Sequence, residues 1–197
     1  YDYMAATAPM LGLPARAAAA DRAACAGILS SAAVVDLYGQ IYAQEDITGE
    51  WSERAAQLRD AYAAADAPAR LAAMQKLWTG ASGPEQRCSR QVLTAYAAAR
   101  LPVNGDFATA APDLIASMLF AGLDRNAARW AGVVDQGSQG WALLALSSAA
   151  NGQIDSSAIE SFHDDDSSDE ARRSGFLVAG LAGLGRISTD SAGSLAS

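Results

Sequence analysis

Apolar residues recur along this chain at helical spacing, and the recurrence is cut at short intervals by glycine and proline. Val34, Val35, Tyr38, Ile41 and Tyr42 follow an i, i+3, i+4, i+7 pattern, which predicts an amphipathic helix over 32–44 with Ser30 or Ser31 at its start. Trp51, Ala55, Leu58 and Tyr62 form the next such stripe, over 49–65, with Thr48 as its cap. Glu53, Arg54, Gln57, Arg59 and Asp60 make up most of the opposite, polar face. Leu71, Met74, Leu77 and Trp78 define a further helix restarted by Pro68, and a fifth runs over 85–100 behind Pro84. Pro14 suits the first turn of a helix over 15–29. Residues 1–13, broken by Pro9 and Gly12, read as a loose lead-in.

Leu101-Pro102-Val103-Asn104-Gly105-Asp106 is the strongest linker signal, and it separates an N-terminal helical bundle, 1–101, from a second, αα-hairpin region, 106–197, the two expected to form one compact unit. The second region has its own rhythm. Pro112 opens a helix containing Leu114, Ile115, Met118 and Leu119, ending at Gly122-Leu123-Asp124. A helix around Trp141, Leu143, Leu144 and Leu146 leads to Gly152-Gln153-Ile154-Asp155. One around Phe176, Leu177, Leu181 and Leu184 leads to Gly185-Arg186-Ile187-Ser188, followed by Ala192 and Leu195. Leu123, Ile154 and Ile187 stand 31 and 33 residues apart, the period of a helical-hairpin repeat. Glycine ends one helix in a left-handed conformation, the aliphatic residue plugs the turn, and Asp or Ser caps the next helix. The expected fold is all-α, an array of αα-hairpins as a bundle or short solenoid.

Composition strengthens that expectation. Alanine, the best helix former, supplies 47 of 197 residues. The formal net charge of -8 disfavours nucleic acid and anionic membrane surfaces as partners. No apolar run reaches the length of a bilayer span. The chain opens Tyr-Asp-Tyr rather than with Met, which a removed signal peptide or a trimmed boundary explains equally. The compartment is therefore open between the cytoplasm and an exported or periplasmic setting. Cys25 and Cys88 permit one disulfide under oxidising conditions. Both fall in helical segments, where the ordinary expectation is a small buried hydrophobe.

Candidate chemistry is sparse. Glu45, Asp46, Glu50 and Glu53 cluster near Tyr38, Tyr42 and Trp51, so the carboxylates are candidate acid and base groups beside aromatic rings that stack on sugars. The alternative is that the carboxylates solvate helix ends and the rings pack inward. His163, the only histidine, precedes Asp164, Asp165 and Asp166. His163 and Asp165 are metal-ligand candidates, set against the ordinary reading of such a run as a solvated acidic loop. One histidine excludes multi-His zinc sites in this chain. Gly137-Ser138-Gln139-Gly140 lacks the lysine and preceding strand of a phosphate loop, and no cofactor is implied. Trp130 and Trp141 join Tyr38, Tyr42 and Trp51 as binding candidates if their rings reach a surface. The leading expectation is a non-enzymatic scaffold for a protein or peptide partner. The alternative is a carboxylate-dependent hydrolase, with a polysaccharide as the natural substrate class.

Overall fold

A computed structural model describes residues 1–148, 152–188 and 193. The fold is all-helical, with no strand among the described residues. Contacts divide the chain into two compact units: residues 1–102 with 117–123, and residues 103–116 with 124–197.

In unit 1, α1 (Asp2–Thr7) and α2 (Leu13–Cys25) pack together, followed by α3 (Ser31–Tyr42), α4 (Glu50–Ala63), α5 (Ala67–Thr79) and α6 (Pro84–Ala99). The helix at α1 corrects the expected loose lead-in. Tertiary bonds hold it: Arg16 Nε donates to the Ala6 carbonyl, and Arg22 Nη2 reaches Asp2 Oδ1 at 2.8 Å. Such ties offset the nucleation cost that a six-residue segment cannot meet from propensity alone. On α2 the alanines at 17, 20 and 24 form a thin buried stripe that lets its neighbours approach closely. Asp66 caps α5 through the Ala69 N–H and Ser30 caps α3 through Ala33, each worth about 1 kcal/mol. The expected Thr48 cap of α4 is replaced by Gly49 at φ 73°, a left-handed turn that glycine enters without Cβ strain.

Helix α6 is the axle of unit 1, packed by α2, α3, α4 and α5. Helices on several sides bury polar as well as apolar positions, so each polar atom needs a partner. Thr94 accepts from the Trp78 indole N–H at 2.9 Å, and Ser31 donates to the Val92 carbonyl. The Tyr62 hydroxyl donates to Leu93 O, and Arg90 donates to Leu77 O near the C-terminal end of α5. Cys25 and Cys88 form a disulfide between α2 and α6, with Cα atoms 5.6 Å apart. The sequence leaves this pairing open, and the structure makes it. Helical burial and pairing are compatible here because α2 and α6 are direct neighbours.

A 3-10 turn at Gly105–Ala110 precedes α7 (Ala111–Phe120), of which residues 111–116 belong to unit 2. Unit 2 continues with α8 (Asp124–Ala128), a 3-10 turn (Arg129–Gly132), α9 (Gln139–Ser147), α10 (Ser156–Asp164) and α11 (Arg172–Gly183). Ile159, Phe162, Leu177, Val178, Leu181 and Ile187 form its core beside Ala142 and Ala145. Phe176 and Leu184, which belong to the same apolar series as Leu177 and Leu181, are exposed. Gly185 at φ 66° ends α11 with the paired bonds of a Schellman turn, Arg186 N–H to Leu181 O and Gly185 N–H to Ala182 O. The chain at Gly122-Leu123 makes the same two bonds. The segment at Gly152 does not follow that pattern, because α9 already ends at Ser147. Ile154 N–H instead donates to Arg186 O. Ala192 and Leu195, expected in the last hairpin, lie outside the described residues.

Candidate functional site

The first turns of α4 and α6 and one face of α2 surround a cleft of about 320 Å³ in unit 1. Helical spacing puts Ala18, Asp21 and Arg22 together on α2. Glu50, Trp51 and Arg54 come from α4, and Glu85, Gln86, Ser89 and Arg90 from α6. Tyr38 lies below, on α3, nearly fully buried. Its hydroxyl donates to Asp21 Oδ2 at 2.9 Å and accepts from Arg54 Nη1 at 3.2 Å. Arg54 also pairs with Glu50, sits 3.7 Å from Asp21 and stacks 4.7 Å over the Trp51 ring. Tyr38 and Trp51 meet as a tilted ring pair with centroids 6.2 Å apart.

The electrostatics follow from burial. Desolvation pushes the Asp21 carboxyl up to about 6, against the Tyr38 hydrogen bond and the charges of Arg54, Arg90 and Arg22, which pull it down. Burial and the Asp21 charge hold the Tyr38 hydroxyl firmly protonated. Arg90 is lowered, first by burial and then by the nearby positive charge of Arg54. Asp21 Oδ1 is buried and has no hydrogen-bond donor.

Of the carboxylates singled out in the sequence, Glu50 reaches this cleft with its side chain largely in solvent. Glu53 lines a smaller neighbouring recess with Gln57 and Lys76. Glu45 is exposed on the segment before α4. Tyr42 lies apart from Trp51, in a shallow recess with Tyr62 and Ala55, with the Arg59 guanidinium 5.3 Å over its ring. Trp130 is closed inside unit 2, and Trp141 is half-buried against that unit's core. His163 and Asp165 are exposed, and no group of three or more metal-ligating residues occurs among the described residues. Asp166 instead folds its own turn, accepting from the N–H and hydroxyl groups of Ser168 and Ser174. The Ser168 hydroxyl is the first cause holding its carboxyl well below the usual range.

Sequence reasoning missed Asp21, Arg54 and Arg90. Arg54, expected on a polar face, is buried because Tyr38, Glu50 and Trp51 surround it. The signal was present: Asp21 shares the stripe of Ala17, Ala20 and Ala24, and Arg54 adjoins that of Ala55, Leu58 and Ala61.

A second concavity in unit 1, about 380 Å³, has no charged side chain in its lining. The Gly27–Ser31 turn, Val92 and Tyr96 of α6, and Phe120 with Ala121 line it. Ile28, Tyr96 and Phe120 are 61%, 41% and 49% exposed, large apolar side chains around one groove. Gly27, at φ 71°, sets the Schellman turn that projects Ile28, through Ile28 N–H to Ala23 O and Gly27 N–H to Ala24 O. Of the hydroxyl-bearing residues of the groove, Ser30 caps α3 and Ser31 donates to Val92 O.

Comparison of the chain with known protein families, curated proteins and solved structures finds no match in any of the three.

Proposed function

We propose that the chain is a non-enzymatic interaction module that takes a protein or peptide partner along the Ile28–Tyr96–Phe120 groove. One observation carries the reading. Three exposed large side chains, Ile28, Tyr96 and Phe120, converge on a concave surface with no charged side chain in its lining, a combination that favours docking over chemistry. An amphipathic helix presenting apolar residues at i, i+3 or i+4, and i+7 suits such a groove. The hairpin-like succession of α9, α10 and α11 extends the scaffold reading to unit 2.

The test is selection from a peptide display library on the whole chain, with counter-selection on Phe120→Asp. The expected result is a family of peptides with helical apolar spacing that bind the wild type and lose binding on Phe120→Asp and Ile28→Asp, with both variants folded. Selected peptides indifferent to both changes would overturn the reading.

A second reading, a carboxylate-dependent hydrolase, draws support from Asp21, Glu50 and Trp51 sharing one cleft, with Asp21 near the pKa of a general acid. Geometry weighs against it. Asp21 Oδ2 is held by Tyr38, and Oδ1 has almost no accessible surface from which to protonate a leaving group. Turnover of polysaccharide by the purified chain, abolished by Asp21→Asn, would reverse that order.

A further inference from the structure

The Cys25–Cys88 disulfide joins the two elements that wall the Ile28–Tyr96–Phe120 groove. One wall is the turn after α2. Cys25 is the last residue of that helix, and Gly27, Ile28 and Leu29 follow it closely. The other wall is α6, where Cys88, Val92 and Tyr96 recur every fourth residue and so share one face. The bond therefore ties the base of one wall to the base of the other.

The other ties between these walls are individually modest. Every buried position of α2 is an alanine, which offers a single methyl to its neighbours. The bonds that shape the turn, from Ile28 and Leu29 N–H to Ala23 O, are made within the α2 segment and do not reach α6. At the far end of the turn, Ser31 Oγ donates to Val92 O. Cys88 is buried and Cys25 only partly so, beside exposed Ala26, Gly27 and Ile28, so Cys25 is the more open end of the bond.

We propose that the Cys25–Cys88 disulfide is a redox-sensitive clamp on the groove: the oxidised chain holds the Ile28 turn against Val92 and Tyr96, and reduction by a dithiol releases that turn. A thiolate of the dithiol bonds to Cys25 Sγ. The bond to Cys88 breaks, and its electron pair leaves on Cys88 Sγ, which takes up a proton. The second thiolate of the dithiol then attacks its own partner sulfur in the mixed disulfide, and Cys25 Sγ leaves and is protonated. The chain gains two electrons and two protons, and the dithiol becomes a disulfide. As regulation of partner binding the clamp rests on the interaction reading, but its effect on the groove is measured with no partner present.

The test compares amide chemical shifts of the full chain oxidised, reduced with dithiothreitol and reoxidised, with thiols counted by alkylation and mass spectrometry. Reduction is expected to move the shifts of residues 24–31 and 92–96, to leave α4 and α5 in place, and to be reversed by reoxidation. Cys25→Ala/Cys88→Ala should match the reduced chain at the groove and ignore the reductant. A library-selected, cysteine-free peptide should bind the reduced chain about tenfold or more weakly, the loss expected when the formed groove is populated a tenth of the time. Unmoved shifts at 24–31 and 92–96 overturn the proposal, as does a disulfide that dithiothreitol leaves intact in the folded chain. Collapse of α2 to α6 together also overturns it, since the bond is then a staple of the whole unit. Equal peptide affinity in both redox states overturns the clamp and leaves the docking reading standing. Failure to select any peptide counts against the docking reading, while the shifts still decide the clamp.

Discussion

Unit 1 and unit 2 are both bundles of short helices, yet they solve the burial problem by different means. Seven of the nine polar or charged residues buried among the described residues belong to unit 1: Ser31, Arg54, Ser89, Arg90, Gln91, Thr94 and Ser117. They gather on or against α6, where surrounding helices exclude water and force each polar atom into a bond. Unit 2 buries only Ser174 and Arg186 in this way. It relies instead on glycine at points of close approach. A Cβ on Gly137 would stand 2.6 Å from Ser161 Cβ, and one on Gly180 would stand 2.6 Å from Leu146 Cδ2. The difference teaches where function can reside. A polar network that is already satisfied fixes helices in place, and what remains open in unit 1 is surface such as the Ile28–Tyr96–Phe120 groove.

The sharpest way to break the comparison is to remove the covalent tie that only unit 1 has. Cys25 and Cys88 close a loop of 63 residues, and chain entropy puts the stabilisation at about 4 kcal/mol. A Cys25→Ala/Cys88→Ala variant should lose that much in urea unfolding. Hydrogen exchange should rise across α2 to α6 while residues 156–183 keep their protection. Equal loss in both units would show that the tie is not local.

The matching change in unit 2 is Gly137→Ala. It combines φ 82°, which L-residues rarely adopt, with the clash on Ser161, so a cost of about 2 to 3 kcal/mol is expected. The exchange pattern should be the reverse of the disulfide variant's, with α10 exposed first.

Smaller, and specific to the buried charges of unit 1, is a pH effect. Folding raises Asp21 from its ordinary 3.8 to about 6, so the folded chain holds this proton more tightly than the unfolded one. That stabilisation is complete only below the ordinary pKa of 3.8 and is lost as pH rises through 6, and the part lost between pH 4 and pH 7 is about 2 kcal/mol. The stability of the wild type relative to Asp21→Asn should therefore increase on going from pH 7 to pH 4. A difference that is flat with pH would mean that Asp21 is not desolvated.

Least in size is Asp166→Ala. Removing the acceptor for Ser168 and Ser174 should speed exchange over 168–175 and leave unit 1 untouched.

Much of the fold was legible because alanine, glycine and proline act locally. Pro14 and Pro84 lie in the first turns of α2 and α6, Gly122 ends α7, and Ser30 caps α3. What was not legible depended on neighbours distant in sequence. Helix α1 exists through Arg16 and Arg22, the disulfide through the adjacency of α2 and α6, and the burial of Arg54 through Tyr38, Glu50 and Trp51. The site was half visible. Tyr38, Glu50 and Trp51 were singled out and do converge. Their partner Asp21 was hidden in an alanine run, and Arg54 was assigned to solvent because a guanidinium usually reaches it. The apolar groove was invisible, because Ile28, Tyr96 and Phe120 come from three separate segments.

The central claim is that unit 1 offers an apolar docking groove rather than a reactive centre. Amide chemical-shift mapping of the whole chain with a library-selected peptide addresses it most directly. The account predicts perturbations concentrated at residues 24–31, 92–96 and 120–121, with the peptide recovered intact. Perturbations centred on Asp21, Glu50 and Trp51, with the peptide cleaved, would contradict it.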